Sequence, residues 1–274
     1  MTQSAKRKAF TLVELLVVIA IVGLISTVAA VSMNNSRDKA KIAAGQSFDQ
    51  SMRHGLGDQL VGEWLMNECS GNTTGDISGN GNTATFGVAS AWGTNAPGNA
   101  GCSASFTGTN YLGTTLNVQS PNVTFSAWVY PTSTTGYNEI ISKEAQYKFR
   151  IHEGNLEALM SCAGVGWSYA LYLTKPQVPI NNWSMVALTI DSVNQTAALY
   201  LNGNMVGKTS TCTVTAYNGN AIGIGSSYST LAHEPFHGNI DDARVYTSSL
   251  GLAQIKKIYA ENLPTYLLAM QKSK

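Results

Sequence analysis

From residue 10 to residue 33 the chain is apolar almost without a break, and the run carries one charged side chain, Glu14. About 24 residues rising roughly 1.5 Å each make a helix of ~36 Å, long enough to cross the hydrocarbon of a bilayer. Leu, Val, Ile and Ala dominate it. A carboxylate in such a segment costs roughly 2.5 kcal/mol or more at mid-depth. A plain anchor or secretory signal has no use for that cost. Lys6, Arg7 and Lys8 stand just before the run. Cationic flanks stay on the cytoplasmic side, so the leader is expected inside and everything after Met33 outside. Val28-Ala29-Ala30 offers small residues to a general signal peptidase. The run is long for a signal core, however, and Glu14 would remain unexplained.

The polar stretch from residue 34 to 59, with Arg37, Asp38, Lys39 and Lys41, could carry the helix on into water. Ile42, Phe48, Met52 and Leu56 recur there at a loose helical spacing. The basic leader, Ala9, Phe10 and an acid four residues later resemble the N-terminus of type IV pilins and pseudopilins. The resemblance covers about the first 45 residues. It implies cleavage between Ala9 and Phe10 by a prepilin peptidase, methylation of the new Phe10 terminus, and use of Glu14 to dock on a neighbouring subunit's terminal amine. Two departures are visible: Ala9 stands where Gly is usual, and no Pro kinks the run.

Beyond the anchor, about 215 residues remain, which suits one large domain. Charged residues are 12% of the chain, against a usual ~25%. The surface must therefore be built from Ser, Thr, Asn and Gly. Net charge is +1, and no basic patch supports a nucleic-acid partner. Cys69, Cys102, Cys162 and Cys212 lie in a part expected outside the cell, so two disulfides are expected. No C-x-x-C pair suggests a metal or redox motif. Of three pairings, Cys69–Cys102 and Cys162–Cys212 are favoured. The first two lie early in the domain, and the last two flank its later strands.

Short β-type runs separated by Gly, Asn and Pro recur, among them 62–66, 123–130, 147–151, 183–191, 197–201 and 238–246. Val123, Phe125, Ala127 and Val129 alternate with Thr124, Ser126, Trp128 and Tyr130, which predicts a strand with an apolar inner face. Asn202-Gly203 is a two-residue hairpin signal, because both positions must take φ > 0. One helix is expected here, over 252–262, before Pro264. Many strands with such turns imply an all-β sandwich or jelly roll.

Six pieces in order carry a second resemblance: 61–64 (VGEW), 76–82 (DISGNGN), 124–131 (TFSAWVYP), 181–183 (NNW), 200–203 (YLNG) and 236–246 (FHGNIDDARVY). They look like a laminin-G-like, concanavalin-A-like jelly roll over about residues 60–259. That resemblance implies two stacked antiparallel sheets, often one Ca²⁺, and a binding role.

Asp76, Ser78, Asn80 and Asn82 alternate around Gly79 and Gly81, a spacing that can turn oxygens toward one hard cation. It begins like an EF-hand but has Gly87 where the closing Glu belongs. A jelly-roll Ca²⁺ site remains the expectation, with Asp241 or Asp242 supplying further ligands as the resemblance suggests. The metal-free alternative is an Asx-turn. His233-Glu234-Pro235-Phe236-His237 matches H-E-x-x-H, but Pro235 denies it the helix that zinc proteases need. The glycosidase strand motif E-x-D-x-x-E is absent, no nucleophile elbow occurs, and Glu139, Glu144, Glu153 and Glu157 are scattered. Asp241 and Asp242, as neighbours on a strand, are expected on opposite faces. No enzyme is expected. Trp92, Tyr137 and Trp167, near Gly-rich loops, are candidate ligand platforms.

The chain therefore reads as a leader (1–9), a pilin-type helix (10–59, membrane-spanning over 10–33), a laminin-G-like jelly roll (60–262) and a tail (263–274). The expected role is a subunit of a type IV pilus or related filament, displaying a glycan- or protein-binding head outside the inner membrane. Alternatives are a pseudopilin of a type II secretion system and a membrane-anchored lectin or adhesin that never polymerises.

Overall fold

A computed structural model describes residues 12–13, 15–23, 57–89, 91–97, 101–164, 166–214, 219–227 and 233–261, with the backbone course alone for 167–176. Ala9, Phe10, Glu14, the stretch from 34 to 56 and the tail lie outside the described residues. The chain divides into two compact units, Met1–Gly55 and Leu56–Lys274. In the first, residues 12–13 and 15–23 are helical, with Leu, Val and Ile side chains exposed. Among the described residues no helix is long and apolar enough to cross a membrane.

The second unit is an all-β sandwich. Its strands are β1 (Leu60–Trp64), β2 (Thr73–Thr74), β3 (Ala84–Phe86), β4 (Trp92–Gly93), β5 (Ser103–Thr107), β6 (Leu112–Gly113), β7 (Asn122–Pro131) and β8 (Tyr137–Lys143). They continue as β9 (Tyr147–His152), β10 (Asn155–Cys162), β11 (Gly166–Gln177), β12 (Ser184–Asp191), β13 (Thr196–Leu201), β14 (Asn204–Ser210), β15 (Ile222–Ile224) and β16 (His237–Tyr246). The first sheet runs β14-β13-β12-β7-β16-β5-β4, with β1 also on β16, and the second runs β11-β10-β9-β8-β15-β6-β3-β2. Neighbouring strands are antiparallel, as in β7 with β12 and β8 with β9.

Side-chain alternation builds the core between the sheets. Val123, Phe125, Ala127 and Val129 of β7 enter it, and so do Tyr147, Phe149 and Ile151 of β9 and Leu156, Ala158 and Met160 of β10. The first strand lies two residues earlier than its sequence pattern suggests, because Met66 takes φ 53° and leaves the extended region. Asn202 and Gly203 take φ 49° and 74°, the two-residue turn between β13 and β14. Disulfides join Cys69 to Cys102 and Cys162 to Cys212, the favoured pairing.

Helix 252–261 follows β16. Gln254 Oε1 accepts the Gly251 N–H at 2.8 Å, the reciprocal bond of a capping box. Ile255 and Ile258 are buried, and Tyr259 stacks on Trp128 of β7 with ring centroids 5.8 Å apart. Arg244 of β16 donates to Glu261 at 2.8 Å. The helix thus covers the outward face of the first sheet.

Candidate functional site

The expected cation loop is held as a turn. Asp76 Oδ1 accepts the N–H groups of Glu63 at 3.0 Å and Ser78 at 2.9 Å, and Oδ2 accepts that of Asn82 at 2.8 Å. Burial works to raise the Asp76 pKa, but these hydrogen bonds carry it below the usual value. Asn80 and Asn82 turn their amide N–H groups to the carbonyls of Leu60 and Val61. Donors aimed at β1 are the wrong groups for a ring of cation ligands, so the four side chains fit an Asx-turn that pins the loop to β1. Among the described residues no group of three or more His, Cys, Asp and Glu gathers for a metal.

Asp241 and Asp242 sit elsewhere in the geometry. β16 bulges between Asp241 and Arg244, with Asp242 at φ 43°. Simple strand alternation therefore does not apply to the pair, which corrects the opposite-face expectation. Asp242 donates its N–H to Asp241 Oδ1 at 2.9 Å and accepts from Arg244 Nε at 2.8 Å. Burial, then Asp242, and then Glu68 push the Asp241 pKa well above the carboxylate range.

The largest gathering of charge is on the second sheet, on the face turned away from the core. β9 sends Tyr147, Phe149 and Ile151 inward, which leaves Lys148, Arg150 and His152 on the other side. Register places Arg150 between Glu139 of β8 and Glu157 of β10. Arg150 Nη1 lies 3.3 Å from Glu139 Oε1, and Nη2 donates to Glu157 Oε1 at 2.9 Å. His152 Nδ1 is 2.8 Å from Glu157 Oε2. From the loop after β15, Glu234 pairs with Lys148 and lies 3.5 Å from Arg150 Nη1, while Ser227 Oγ donates to its Oε2 at 2.6 Å. Tyr137 covers the guanidinium, with Arg150 Cζ 3.9 Å from its ring centre, and lies 4.3 Å from the His152 ring.

Glu139, Arg150 and Glu157 are buried, whereas Tyr137 is 40% exposed. Burial pushes the Glu139 carboxyl up to about 8, against the opposing pull of Lys148 and Arg150. Glu234 goes the other way. Burial would raise it, but hydrogen bonds from Lys148 and Ser227 and the nearby cations bring it below the usual value.

Pairing therefore unites Glu139 and Glu157, two of the four glutamates that look scattered in sequence. The signal that could have found the site is the strand 147–152, whose charged residues fall on every second position. Of the platform candidates, Tyr137 belongs to this site. Trp92 packs edge-on against Phe86 and donates to the Gly71 carbonyl at 2.9 Å, a structural role. The side chain of Trp167 lies outside the described residues. In 233–237, Glu234 takes φ 51° and His237 Nδ1 lies 3.1 Å from Asn138 Oδ1, so no zinc pair forms there.

Two antiparallel sheets packed over one core define a concanavalin-type sandwich. The chain belongs to the concanavalin A-like lectin/glucanases superfamily, whose family model matches residues 104–256, more than half of the chain. Residues 4–30 match the prokaryotic N-terminal methylation motif. Together the two families point to a non-enzymatic protein. Among curated proteins none matches the chain.

Solved structures share the fold. Domain 4 of AbnA, an extracellular arabinanase of Geobacillus stearothermophilus solved with arabinotriose, is 20% identical, with a TM-score of 0.55 over 73% of this chain and 98% of that one. The botulinum neurotoxin serotype D ligand binding domain, solved with N-acetylneuraminic acid, is 15% identical, with a TM-score of 0.58 over 76% of this chain and 52% of that one. The binding domain of Paraclostridial Mosquitocidal Protein 1 is 14% identical, with a TM-score of 0.56 over 74% of this chain and 52% of that one. The chain thus spans about half of the two toxin domains.

Proposed function

We propose that this chain is a pilin-like subunit that displays a lectin-like sandwich on a type IV pilus or related filament. The observation that carries this reading is a methylation motif at residues 4–30 ahead of a concanavalin-like domain at 104–256. A prepilin peptidase cuts between Ala9 and Phe10, and the apolar helix anchors the subunit in the inner membrane until it is drawn into a filament. Glu14 then pairs with the terminal amine of a neighbouring subunit, because an unpaired charge in oil is costly and that amine removes the cost.

The head binds a glycan or a protein. Two fold neighbours were solved with a saccharide, arabinotriose and N-acetylneuraminic acid, which supports the glycan. Ca²⁺ belongs to the proposal at Asp241, with Glu68 beside it, rather than at the Asp76 loop. A cation there would offset the burial, and then the neighbouring carboxylates of Asp242 and Glu68, that raise Asp241. Added Ca²⁺ should raise the melting temperature and chelator should reverse the rise; an Asp241→Asn chain that responds equally would remove the ion from that place.

The test of the main reading is filament incorporation. Glu14→Ala should enter filaments far less than the parent while still reaching the membrane. Equal incorporation would contradict the docking role. A parent found only in the membrane, leader intact, would identify a non-polymerising lectin instead.

A further inference from the structure

On the charged face of the second sheet, two neighbouring side chains each carry a buried polar atom left unsatisfied among the described residues. Glu139 Oε2 and Arg150 Nε are both buried and have no hydrogen-bond partner among the described residues. An unmet buried donor or acceptor carries its full desolvation cost. Both atoms belong to side chains whose other polar atoms are already engaged, Glu139 Oε1 with Arg150 Nη1 and Arg150 Nη2 with Glu157 Oε1, and the Arg150 guanidinium lies under the Tyr137 ring. We propose that Tyr137, Glu139 and Arg150 form a binding site for a neutral saccharide, whose hydroxyl oxygens satisfy Glu139 Oε2 and Arg150 Nε while Tyr137 flanks the sugar ring. The inference deepens the binding role proposed above and rests on it.

Three observations set the ligand class. The first concerns hydrogen-bond sign. Glu139 is protonated at neutral pH. Its Oε1 faces the Arg150 Nη1 donor, so the proton goes to Oε2. The orphan atoms are then two donors, and hydroxyl oxygens are acceptors that fit both. The second concerns charge. With Glu139 neutral, Lys148 and Arg150 balance Glu157 and Glu234. A neutral ligand enters without adding an unpaired charge, and an acidic one does not. The third concerns shape. Tyr137 is an aromatic side chain at the rim, opposite His152 in the register of β8 and β9 and over the buried guanidinium of Arg150. Its ring sits over the guanidinium, so it must rotate to admit the ligand. At 40% exposure it has room to do so, on the fast timescale of a surface side chain.

The test uses the full chain in detergent and isothermal titration with five neutral trisaccharides (arabinotriose, xylotriose, cellotriose, maltotriose, chitotriose) and the acidic 3′-sialyllactose. At least one neutral sugar should bind the parent. Tyr137→Ala should weaken it by roughly tenfold or more, the scale of a lost stacking ring, with melting temperature unchanged. Glu139→Gln places an amide donor where the carboxyl O–H stood and should keep the affinity, whereas Glu139→Leu should lose it. Binding that survives Tyr137→Ala and Glu139→Leu would overturn the site yet leave the head a lectin. Binding to 3′-sialyllactose alone, or to no sugar, would overturn the ligand class. Filament incorporation, measured separately, reports the subunit role whichever way the titrations fall.

Discussion

On the outward face of the first sheet, Trp128 meets Tyr259 at 5.8 Å, and helix 252–261 closes over it with Ile255 and Ile258 buried. On the outward face of the second sheet, Glu139, Arg150 and Glu157 are just as buried, but they are ionisable groups joined at 2.9–3.3 Å around one guanidinium. Burying apolar rings is favourable by itself. Burying an ion network is close to neutral at best, because desolvation offsets the Coulomb gain. The first face is therefore explained by folding alone. The second is not, and it is the face to which the proposed saccharide site is assigned.

The comparison breaks first at Arg150. Arg150→Leu should cost about 4 kcal/mol in denaturant unfolding, since the buried Glu157 carboxylate loses its cation. A cost below about 1 kcal/mol would mean that the network is solvated rather than buried. Trp128→Ala should cost about 3 kcal/mol by removing the ring under the helix, with no effect on sugar binding. The two faces also differ in pH response. Glu139 is raised from 4.5 to about 8 in the folded chain, so the fold binds its proton more tightly than the unfolded chain does. That contribution to stability is whole below pH 4.5, declines as pH rises, and is gone above about 8. Melting curves should show this decline in the parent, and Glu139→Gln should flatten it. Gly203→Ala should cost only about 1–2 kcal/mol. Gly203 sits at φ 74°, and a Cβ there would meet the Tyr259 ring at 3.0 Å, so any loss should appear on the helix-covered face.

Much of the fold was legible in the sequence because local patterns carry it. The alternation at 123–130, the Asn202-Gly203 turn and the helix from residue 252 each depend on neighbours a few positions apart. The charged face was not legible for the opposite reason. Glu139, Arg150 and Glu157 meet only through strand register, and Glu234 arrives from a loop more than 80 residues later in the chain. The Asp76 loop was ambiguous for a third reason. Oxygen-rich side chains at alternate positions suit a cation or a turn equally well, and backbone N–H groups decide between them. The bulge at Asp242 has no local signal, and it breaks the alternation expected between Asp241 and Asp242.

The central claim is that the chain is processed and assembled as a pilin. It is tested most directly by intact-mass and N-terminal peptide spectrometry of the protein recovered from sheared surface filaments. The account predicts a chain that begins at Phe10 and carries one added methyl group on its amine. A chain that retains Lys6-Arg7-Lys8-Ala9, or one cut after Ala30, would contradict it.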